Sequence, residues 1–292
     1  MQCRAPAKVN LALHVTGRRA DGYHLLESLV VFTEFCDLLE ADAAEQDSLS
    51  ITGPQAARVP ISGENLVVKA RDLMRERFGA AAGKPVALHL DKQLPVAAGI
   101  GGGSANAAAA LDLLCRFWEI DPDRQELNEI ALALGADVPM CLAGQPLVAR
   151  GIGEILEPVQ ALPRLAMLLV NPNLPLPTPQ VFSALARRDN APLPELVFRD
   201  GPGDLAAWLE ATRNDLERPA RELLPQINTV LDAIDGHGAS VARMSGSGAT
   251  CFGLFDHIEA AREAGEAIAA VHPEWFVRAT ATLAEKEAMA DA

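Results

Sequence analysis

The chain has 292 residues, of which 49% are hydrophobic, so it is long enough to form two folded domains with a sizeable core. Its formal net charge of -14 leaves no general basic surface, which argues against a nucleic acid or an anionic membrane as a partner. The five cysteines are scattered, odd in number and free of zinc-site or CxxC spacing, which is typical of reduced core residues in a cytoplasmic protein.

The N-terminal segment predicts a strand rather than a signal peptide. Its apolar residues alternate with others and are interrupted by Lys8 and Asn10, whereas a signal peptide needs a continuous apolar run. In a strand over residues 7–15, Lys8 and Asn10 point to the same face. We therefore expect a cytoplasmic protein whose first strand presents these two polar side chains together.

The next elements are predicted as a strand, a polar stretch and a helix. An apolar, β-rich run covers Leu29 to Phe35, and the polar stretch around residues 44–54 favours hairpins. Apolar residues at helical spacing then predict an amphipathic helix over residues 66–78, which Gly79 ends.

A strand, a glycine-rich loop and two helices follow. Alternating apolar and polar residues over 86–90 predict a half-exposed strand. The loop leads into a helix over about 104–118 with Ser104 as its N-cap, and a second helix over about 124–134 stops at Gly135.

A composition shift after Pro158 predicts a domain boundary. We expect an N-terminal domain over 1–158, a C-terminal domain over 159–284 and a frayed tail over 285–292. The elements of the C-terminal part are predicted in order as a strand at 165–170, helices at about 205–216 and 223–234, a hairpin at 240–255, a helix from about 258 and a strand at about 277–282.

The glycine-rich loop is the strongest single signal in the chain. A Walker A loop requires Lys followed by Ser or Thr directly after its last glycine, but Gly103 is followed by Ser104 and Ala105. A dinucleotide-binding loop requires a third glycine where Ser104 stands. What remains is an anion site at a helix N-terminus, and the equally open alternative is a tight turn packed closely against a helix.

The other polar candidates also have ordinary structural explanations. A lysine such as Lys8 on an open strand face is usually solvated, and Asp137 suits the N-cap of a short helix. Tyr23 and His24 either stack on a planar ligand or cover an edge of the core. The sequence SGSG at 245–248 favours a hairpin turn, although it also exposes backbone N–H groups.

Five motifs nevertheless follow one another in a characteristic order: PAKVNL, DGYH, LPVAAGIGGGSANAAA, LGADVP and SGSGATCF. Together they resemble the GHMP small-molecule kinases, a family named for galactokinase and for homoserine, mevalonate and phosphomevalonate kinases. The resemblance spans about Ala5 to Leu283. It implies a two-domain α+β fold, with mixed and antiparallel sheets packed against helices and an active site in the cleft between the domains.

The resemblance also implies roles for single positions. Asp137 matches the family's catalytic carboxylate near the attacking hydroxyl, Lys8 matches the lysine that keeps this carboxylate ionised, and Asn10 matches a residue that orients the hydroxyl. Asn65 and Lys92 match positions near the nucleotide. The positions that match the ATP phosphate cradle are Pro95, Val96, Ala97, Ala98, Gly99, Ile100, Gly101, Gly102, Gly103, Ser104 and Ala105.

Other motifs point to a substrate within the family. TGRRADGYHLLES, GADVP, GIGEILEPV and PTPQVF favour the members that phosphorylate the 2-hydroxyl of a cytidine diphosphate-linked polyol in the non-mevalonate route to isoprenoids. Tyr23 and Phe182 match the aromatic pair that sandwiches the cytosine of that substrate. His24 matches the residue at the hydrogen-bonding edge of the base.

Two departures from the family pattern bear on the nucleotide. Ala97 and Ala98 stand where glycine is common, which is tolerable if both have negative φ. Ala105 replaces a common serine, so a hydroxyl that touches Mg²⁺ or a phosphate is missing. We expect Mg²⁺ to accompany ATP, held mostly by phosphates and water, and we assign it no protein ligand.

The expected activity is direct in-line transfer from ATP to a small molecule, without a covalent intermediate. One alternative is a kinase of the same family that acts on another small alcohol, such as homoserine or mevalonate. A catalytically silent binding protein of the same fold is disfavoured because both Lys8 and Asp137 are present. A dinucleotide-dependent oxidoreductase is disfavoured by the loop.

Overall fold

The structure is a computed structural model that describes residues 1–61, 63–160, 162–196 and 202–283. Two β-sheets, each packed against helices, form the α+β fold that the sequence predicted. The first sheet contains β1 (Gln2–Arg18), β2 (His24–Ala43), β3 (Ser48–Thr52), β4 (Val86–Asp91), β5 (Leu147–Arg150) and β6 (Ile155–Pro158). The second contains β7 (Ala166–Asn171), β8 (Val241–Met244), β9 (Cys251–Phe255) and β10 (Phe276–Ala281).

The helices fall into two groups along the chain. Those before β5 are α1 (Leu66–Phe78), α2 (Gly102–Trp118), α3 (Arg124–Leu134) and α4 (Val138–Ala143). Those after β7 are α5 (Thr178–Ser183), α6 (Pro202–Glu210), α7 (Glu217–Leu223), α8 (Gln226–Gly236) and α9 (Ile258–Val271). The strand order is β3-β4-β2-β5-β6 in the first sheet, with β1 paired to β2, and β10-β7-β9-β8 in the second.

The central element of the first core is α2, the helix that follows the glycine-rich loop. Its consecutive alanines, Ala107 to Ala110, are buried against strand side chains that include Leu39 and Leu90. Because alanine has a short side chain, the backbone of α2 approaches the sheet closely while the larger strand residues fill the remaining space. This packing fixes the N-terminal end of α2 at one edge of the core.

The long strand β1 connects the two halves of the molecule. Its N-terminal part contributes Ala5 to the first core, whereas Leu13 and Val15 pack with residues of the second sheet and its helices. The Leu13 N–H donates to Arg213 O at 2.9 Å. Three irregularities in the β1–β2 pairing, one of them between Asn10 and Ala12, interrupt the simple alternation of faces. Since β1 packs in both cores, most of its residues are buried on both faces.

Several sequence predictions are confirmed. The helix over 66–78 and the second helix over 124–134 have the predicted ends, and the strand at 86–91 shows alternating burial. The 240–255 segment forms the β8–β9 antiparallel hairpin, and α9 begins at Ile258 as predicted. Periodicity was sufficient for these elements because each packs one face against a core and ends at a clear local signal.

Other predictions are wrong at specific places. The polar residues around 44–54 do not form a hairpin: β3 pairs in parallel with β4, because α1 lies between them in a strand–helix–strand crossover. The helix predicted over 205–216 ends at Glu210, since the following residues leave the helix to pair with β1. The helix predicted to begin at 223 begins at Gln226, just after Pro225.

The predicted frayed tail over 285–292 lies outside the described residues. Within the described ranges, no helix is both long enough and apolar enough to cross a membrane. All five cysteines are free thiols, and Cys3, Cys141 and Cys251 are buried. The prediction that the cysteines are core residues is therefore confirmed for these three, while Cys36 and Cys115 are partly exposed.

Candidate active site

A cavity of about 500 Å³ lies where the two sheets meet, a size typical of small-molecule sites. Its walls are formed by the start of α1, the glycine-rich loop, the polar part of β1, the start of α4, helix α5 and the β8–β9 turn. Among its lining residues are Lys8, Asn10, Gly101, Asp137, Phe182 and Ser247.

The segment from Pro95 to Ala105, hereafter the glycine loop, directs three consecutive carbonyl groups into the protein. Ile100 O accepts from Lys8 N at 3.0 Å, Gly99 O accepts from Ser245 Oγ at 3.2 Å, and Ala98 O accepts from Thr250 N at 3.1 Å. Because these negative ends of the peptide dipoles are engaged by protein donors, the loop is suited to present N–H groups rather than carbonyls to the cavity. An anionic ligand is therefore favoured over a cationic one.

Two of the glycines are required by close contacts within the protein. A Cβ atom on Gly99 would lie 2.6 Å from Gly248 O, and one on Gly101 would lie 2.5 Å from Cγ of Lys8. Both glycines have positive φ, of 77° and 65°. The sequence left open whether the loop is an anion site or a closely packed turn, and the structure supports both. These two glycines permit tight packing, and that packing leaves the neighbouring backbone accessible.

Helix α2 begins at Gly102, two residues before the predicted start. Its N-cap is Gly101 in the left-handed conformation with no side-chain cap, so the prediction of Ser104 as N-cap is wrong. Glycine adopts this conformation without strain, and a Cβ atom at this position would collide with Lys8. The first N–H groups of a helix have no acceptor within it, and they lie at the positive end of the helix dipole. At the start of α2 these N–H groups belong to Gly102, Gly103 and Ser104, which have small or no side chains and line the cavity.

Negative φ was expected at both Ala97 and Ala98, and only Ala98 has it. Ala97 has φ of 54°, so the expectation of negative φ is wrong there, whereas Ala98 is buried at the base of the loop. A left-handed conformation costs a non-glycine residue roughly 1–2 kcal/mol. The glycine loop therefore carries local backbone strain at Ala97, beside the cavity that it lines.

The polar residues of β1 form a connected network with Asp137. Lys8 Nζ lies 3.1 Å from Asp137 Oδ2 and donates to Asn10 Oδ1 at 2.8 Å. The Asn10 amide in turn donates to Ser28 Oγ at 2.7 Å, and Ser28 donates to Ala12 O at 2.7 Å. This chain of hydrogen bonds fixes which end of the Asn10 amide faces Lys8. The lysine, far from solvated, is 5% exposed.

Asp137 stands at the N-cap position of α4 but makes no capping hydrogen bond. Its side chain is 40% exposed and pairs with the buried ammonium group of Lys8. A carboxylate in this setting can accept a proton from a hydroxyl group, while the lysine offers positive charge to a neighbouring anion. The Asp137 side chain therefore does not act as the helix N-cap that the sequence offered as an alternative.

The two residues expected near a nucleotide line the same cavity. Asn65 caps α1 by accepting from Val67 N at 2.9 Å, so its side chain is already engaged in fixing that helix. Lys92 is 3% exposed and forms an ion pair with the fully buried Asp37. Burial lowers the pKa of Lys92 from its usual value, and the Asp37 carboxylate opposes that shift.

The three residues expected at the base are only partly assembled. The rings of His24 and Phe182 stack at 4.9 Å between centroids, and Phe182 lines the cavity. Tyr23, by contrast, is 58% exposed and is not among the lining residues. Burial lowers the pKa of His24, and the guanidinium groups of Arg18 and Arg188 lower it further. In the described part of the chain, the buried His24 Nε2 has no hydrogen-bond partner.

Sequence reasoning missed several residues of the site. Ser28 and Asp37 are polar residues of strand β2, and the position of Asp37 between Cys36 and Leu38 was the signal available from the sequence. Thr178 and Ser247 line the cavity and are hydrogen-bonded to each other, with their hydroxyl oxygens 2.7 Å apart. Ser247 belongs to the SGSG turn, whose exposed backbone was noted, but the sequence did not place that turn against the glycine loop.

No group of three or more His, Cys, Asp or Glu side chains within the described ranges is arranged to hold a metal ion. The oxygen donors of the cavity are instead dispersed around the glycine loop. They include the Ser104 hydroxyl and the Glu64 carboxylate.

The chain is similar to proteins of known family. Residues 65–145 match the model of the GHMP kinases N terminal domain, and residues 182–274 match that of the GHMP kinases C terminal. A protein of Chelativorans sp. (strain BNC1) named 4-diphosphocytidyl-2-C-methyl-D-erythritol kinase is 57% identical over 284 residues, which cover 97% of each chain.

Two solved structures extend this similarity. A crystal structure of 4-(cytidine 5'-diphospho)-2C-methyl-D-erythritol kinase is 35% identical, with a TM-score of 0.77, and the match covers 97% of this chain and 100% of that one. The homoserine kinase from Cytophaga hutchinsonii is 16% identical, with a TM-score of 0.72 over 99% of this chain and 96% of that one, and it shares the fold alone.

Proposed function

The chain belongs to the GHMP kinase family, and from this premise we propose that it transfers the γ-phosphoryl group of ATP to the 2-hydroxyl of 4-diphosphocytidyl-2-C-methyl-D-erythritol. The observation that carries this proposal is the placement of the glycine loop, the Lys8–Asp137 pair and Phe182 around one cavity. High identity to relatives of that name over nearly the whole chain supports the choice of substrate.

The glycine loop binds the triphosphate of ATP. Its carbonyls are held by protein donors, and the N–H groups at the start of α2 meet the phosphate oxygens with the favourable end of the helix dipole. Asn65 and Lys92 complete the nucleotide side of the cavity. No Walker-type lysine follows the loop, so Lys8 and Lys92 supply positive charge from β1 and from the end of β4.

Asp137 and Lys8 act on the acceptor hydroxyl. In an in-line displacement the 2-hydroxyl oxygen forms a bond to the γ-phosphorus as the bond from that phosphorus to the β,γ-bridging oxygen breaks, and ADP leaves. The hydroxyl proton passes to Asp137, late in the transfer, and Lys8 balances the negative charge on the moving phosphoryl group. Asn10 holds Lys8 from the other side and lines the path of the hydroxyl.

Phe182, His24 and Tyr23 recognise the cytosine. Phe182 offers a ring face at the cavity. His24 stacks on Phe182 but does not line the cavity, so its unpartnered Nε2 reaches the edge of the base when the loop between β1 and β2 moves. Tyr23 lies in the loop between β1 and β2. It covers the other face of the base when this loop closes on the substrate.

Mg²⁺ accompanies ATP in this proposal. The dispersed oxygen donors of the cavity fit an ion that keeps several waters and binds mainly through phosphates. Ser104 and Glu64 would hold it together with phosphate oxygens, in the absence of a hydroxyl at Ala105. The ion supplies charge neutralisation on the triphosphate.

The two-domain division is part of the same proposal. Residues 1–158 form the ATP-binding domain and residues 159–284 form the second domain, with the cavity between them. The change of sheet between Pro158 and Ala166 supports this boundary, although β1 packs on both sides of it. A cytoplasmic location remains a prediction of the sequence.

The experiment that tests the function is ADP release by the purified protein with Mg-ATP and a panel of acceptors. The panel contains the cytidyl-methylerythritol diphosphate, free methylerythritol 4-phosphate, homoserine and mevalonate. Turnover with the cytidyl compound alone supports the proposal. Turnover with another acceptor keeps the kinase and rejects the substrate, and ATP binding without turnover on any acceptor indicates a silent binding protein.

A further inference from the structure

The carboxylate of Asp37 is fully buried beneath the glycine loop and accepts from four donors. Asp37 Oδ1 accepts from the backbone N–H groups of Gln93 and Leu94, each at 2.7 Å. Asp37 Oδ2 accepts from the Asn106 side-chain amide at 2.7 Å and from the Lys92 ammonium group. A carboxylate bears about four acceptor sites, so its hydrogen-bonding capacity is filled.

The four donors come from the two ends of the glycine loop. Lys92, Gln93 and Leu94 form the chain that leaves β4 and enters the loop, while Asn106 lies in the first turns of α2, where the loop ends. Asp37 itself lies on β2, next to the last β2–β4 pair at Leu38. One side chain therefore ties the entry and the exit of the loop to the sheet.

The Lys92 ammonium group has N–H donors that are not used within the described part of the chain. Among the described residues, Asp37 is the only hydrogen-bond partner of its Nζ, which leaves two of three N–H donors for a ligand. Lys92 lines the cavity, and a Cβ atom on Gly102 would lie 3.2 Å from Nζ. The ammonium group thus lies beside the N-terminal turn of α2, where an anion is already favoured.

We propose that Asp37 is a positioning residue for the bound nucleotide, which holds Lys92 and both ends of the glycine loop in place to receive phosphate oxygens. This inference rests on the proposed function, since it takes ATP as the ligand of the loop. Asp37 does not touch the nucleotide. It acts through Lys92, whose charge it balances in a place where an isolated ammonium group is costly to bury.

The isosteric variant Asp37→Asn separates this role from simple packing. The side chain of the variant keeps an oxygen for the two backbone N–H groups, but its amide nitrogen faces Lys92 and cannot accept from it. Burial already lowers the pKa of Lys92, and removal of the opposing carboxylate lowers it further. In the variant, the neutral form of Lys92 is therefore favoured more than in the wild type.

The test measures the Kd of Mg-ATP and of inorganic triphosphate by calorimetry, together with steady-state KM and kcat, between about pH 6 and pH 10, a range that lies below the usual lysine pKa. We expect Asp37→Asn to raise both Kd values and the KM for ATP about 10- to 100-fold, with a smaller change in the KM for the acceptor. The Kd of the variant rises further with pH, and that of the wild type rises less. Asp91→Asn is the matched control, because within the described chain the Asp91 carboxylate is hydrogen-bonded only to the side chain of Gln93. We expect this variant to leave the Kd and KM values unchanged.

Several outcomes overturn the inference. The first is a Kd of Mg-ATP in Asp37→Asn that equals the wild-type value. The second is an equal rise of the KM for ATP and for the acceptor that does not depend on pH. The third is weaker binding of ATP with unchanged binding of triphosphate. If Asp37→Asn does not fold, Asp37→Asn/Lys92→Met is compared with Lys92→Met alone: equal Kd values support action through Lys92, and a weaker double variant rejects it. A wild type that binds Mg-ATP but phosphorylates no acceptor rejects the proposed function instead.

Discussion

Lys8 Nζ and Asp137 Oδ2 lie 3.1 Å apart, although one residue is on the first strand and the other precedes the fourth helix. The ammonium group is buried and the carboxylate faces the cavity. Gly101 makes this arrangement possible, because its missing side chain leaves room for the Lys8 methylene groups against the glycine loop. The contact therefore joins the two groups that act on the acceptor to the loop that binds the nucleotide.

Replacing Asp137 tests the proton acceptor. We expect Asp137→Asn to lower kcat roughly 10²- to 10⁴-fold, because the amide keeps the size of the side chain but cannot take the hydroxyl proton. The Kd of Mg-ATP stays within about twofold, since the phosphate contacts are made elsewhere. Steady-state kinetics and calorimetry on the same preparation check both values. Turnover near the wild-type rate would show that another group accepts the proton.

Replacing Phe182 tests recognition of the base. We expect Phe182→Ala to raise the KM for the cytidyl acceptor about 10-fold or more, because a stacking face at the cavity is lost, with little change in the KM for ATP. Tyr23→Ala raises the acceptor KM as well if its loop closes on the base. Trp275→Ala is the control, since Trp275 also stacks on a histidine, His272, at 3.7 Å, but it does not line the cavity. An unchanged acceptor KM in Phe182→Ala contradicts the specificity argument.

Alanine substitutions in the glycine loop separate packing from ligand access. Gly101→Ala is expected to lower the free energy of unfolding by about 1–3 kcal/mol, because its φ is positive and the new Cβ meets Lys8. It also lowers kcat, since Lys8 must move. Gly103→Ala is the matched control for stability: its nearest neighbour is Leu66 Cδ1 at 3.6 Å, and we expect a change within about 0.5 kcal/mol. Urea unfolding measures both, and equal destabilisation would refute the packing argument.

His14 gives the fold a dependence on pH. Its Nδ1 donates to Ala191 O at 2.9 Å and its Nε2 accepts from Arg213 N at 3.3 Å, so only the neutral ring satisfies both contacts. Burial lowers the pKa of His14 below the usual 6.5, against the opposing effect of the hydrogen bond to Ala191 O. The Arg213 charge lowers this pKa further, and Asp215 raises it. As pH falls below 6.5, the unfolded chain binds a proton that the folded chain does not, so stability is lost.

The matching experiment compares the wild type with His14→Gln by urea unfolding from pH 8 to pH 5, a window chosen about the usual histidine pKa. We expect the variant to be less stable at pH 8 and the difference to shrink toward pH 5, at most by about 1.4 kcal/mol per pH unit. Parallel stability curves would mean that His14 does not contribute to the acid sensitivity.

The amino-acid sequence alone determined most elements and the chemical character of the glycine loop. The α1 and α3 ends, the β4 alternation and the β8–β9 turn were predictable because local periodicity reports which face of an element is buried, and glycine or proline marks where it ends. The order of the motifs gave the family for the same reason, since each motif is a short local pattern.

The tertiary structure alone decided which of these elements meet. No local pattern predicts that Gly99 packs against the SGSG turn, that Ala97 has positive φ, or that Asp37 receives both ends of the glycine loop. These features depend on contacts between residues far apart in the chain, where packing overrides local preference. For Lys8, the strand position alone favoured a solvated side chain, whereas the family resemblance implied a partner of Asp137. The packing of the loop and α4 over β1 buries Lys8 beside that carboxylate.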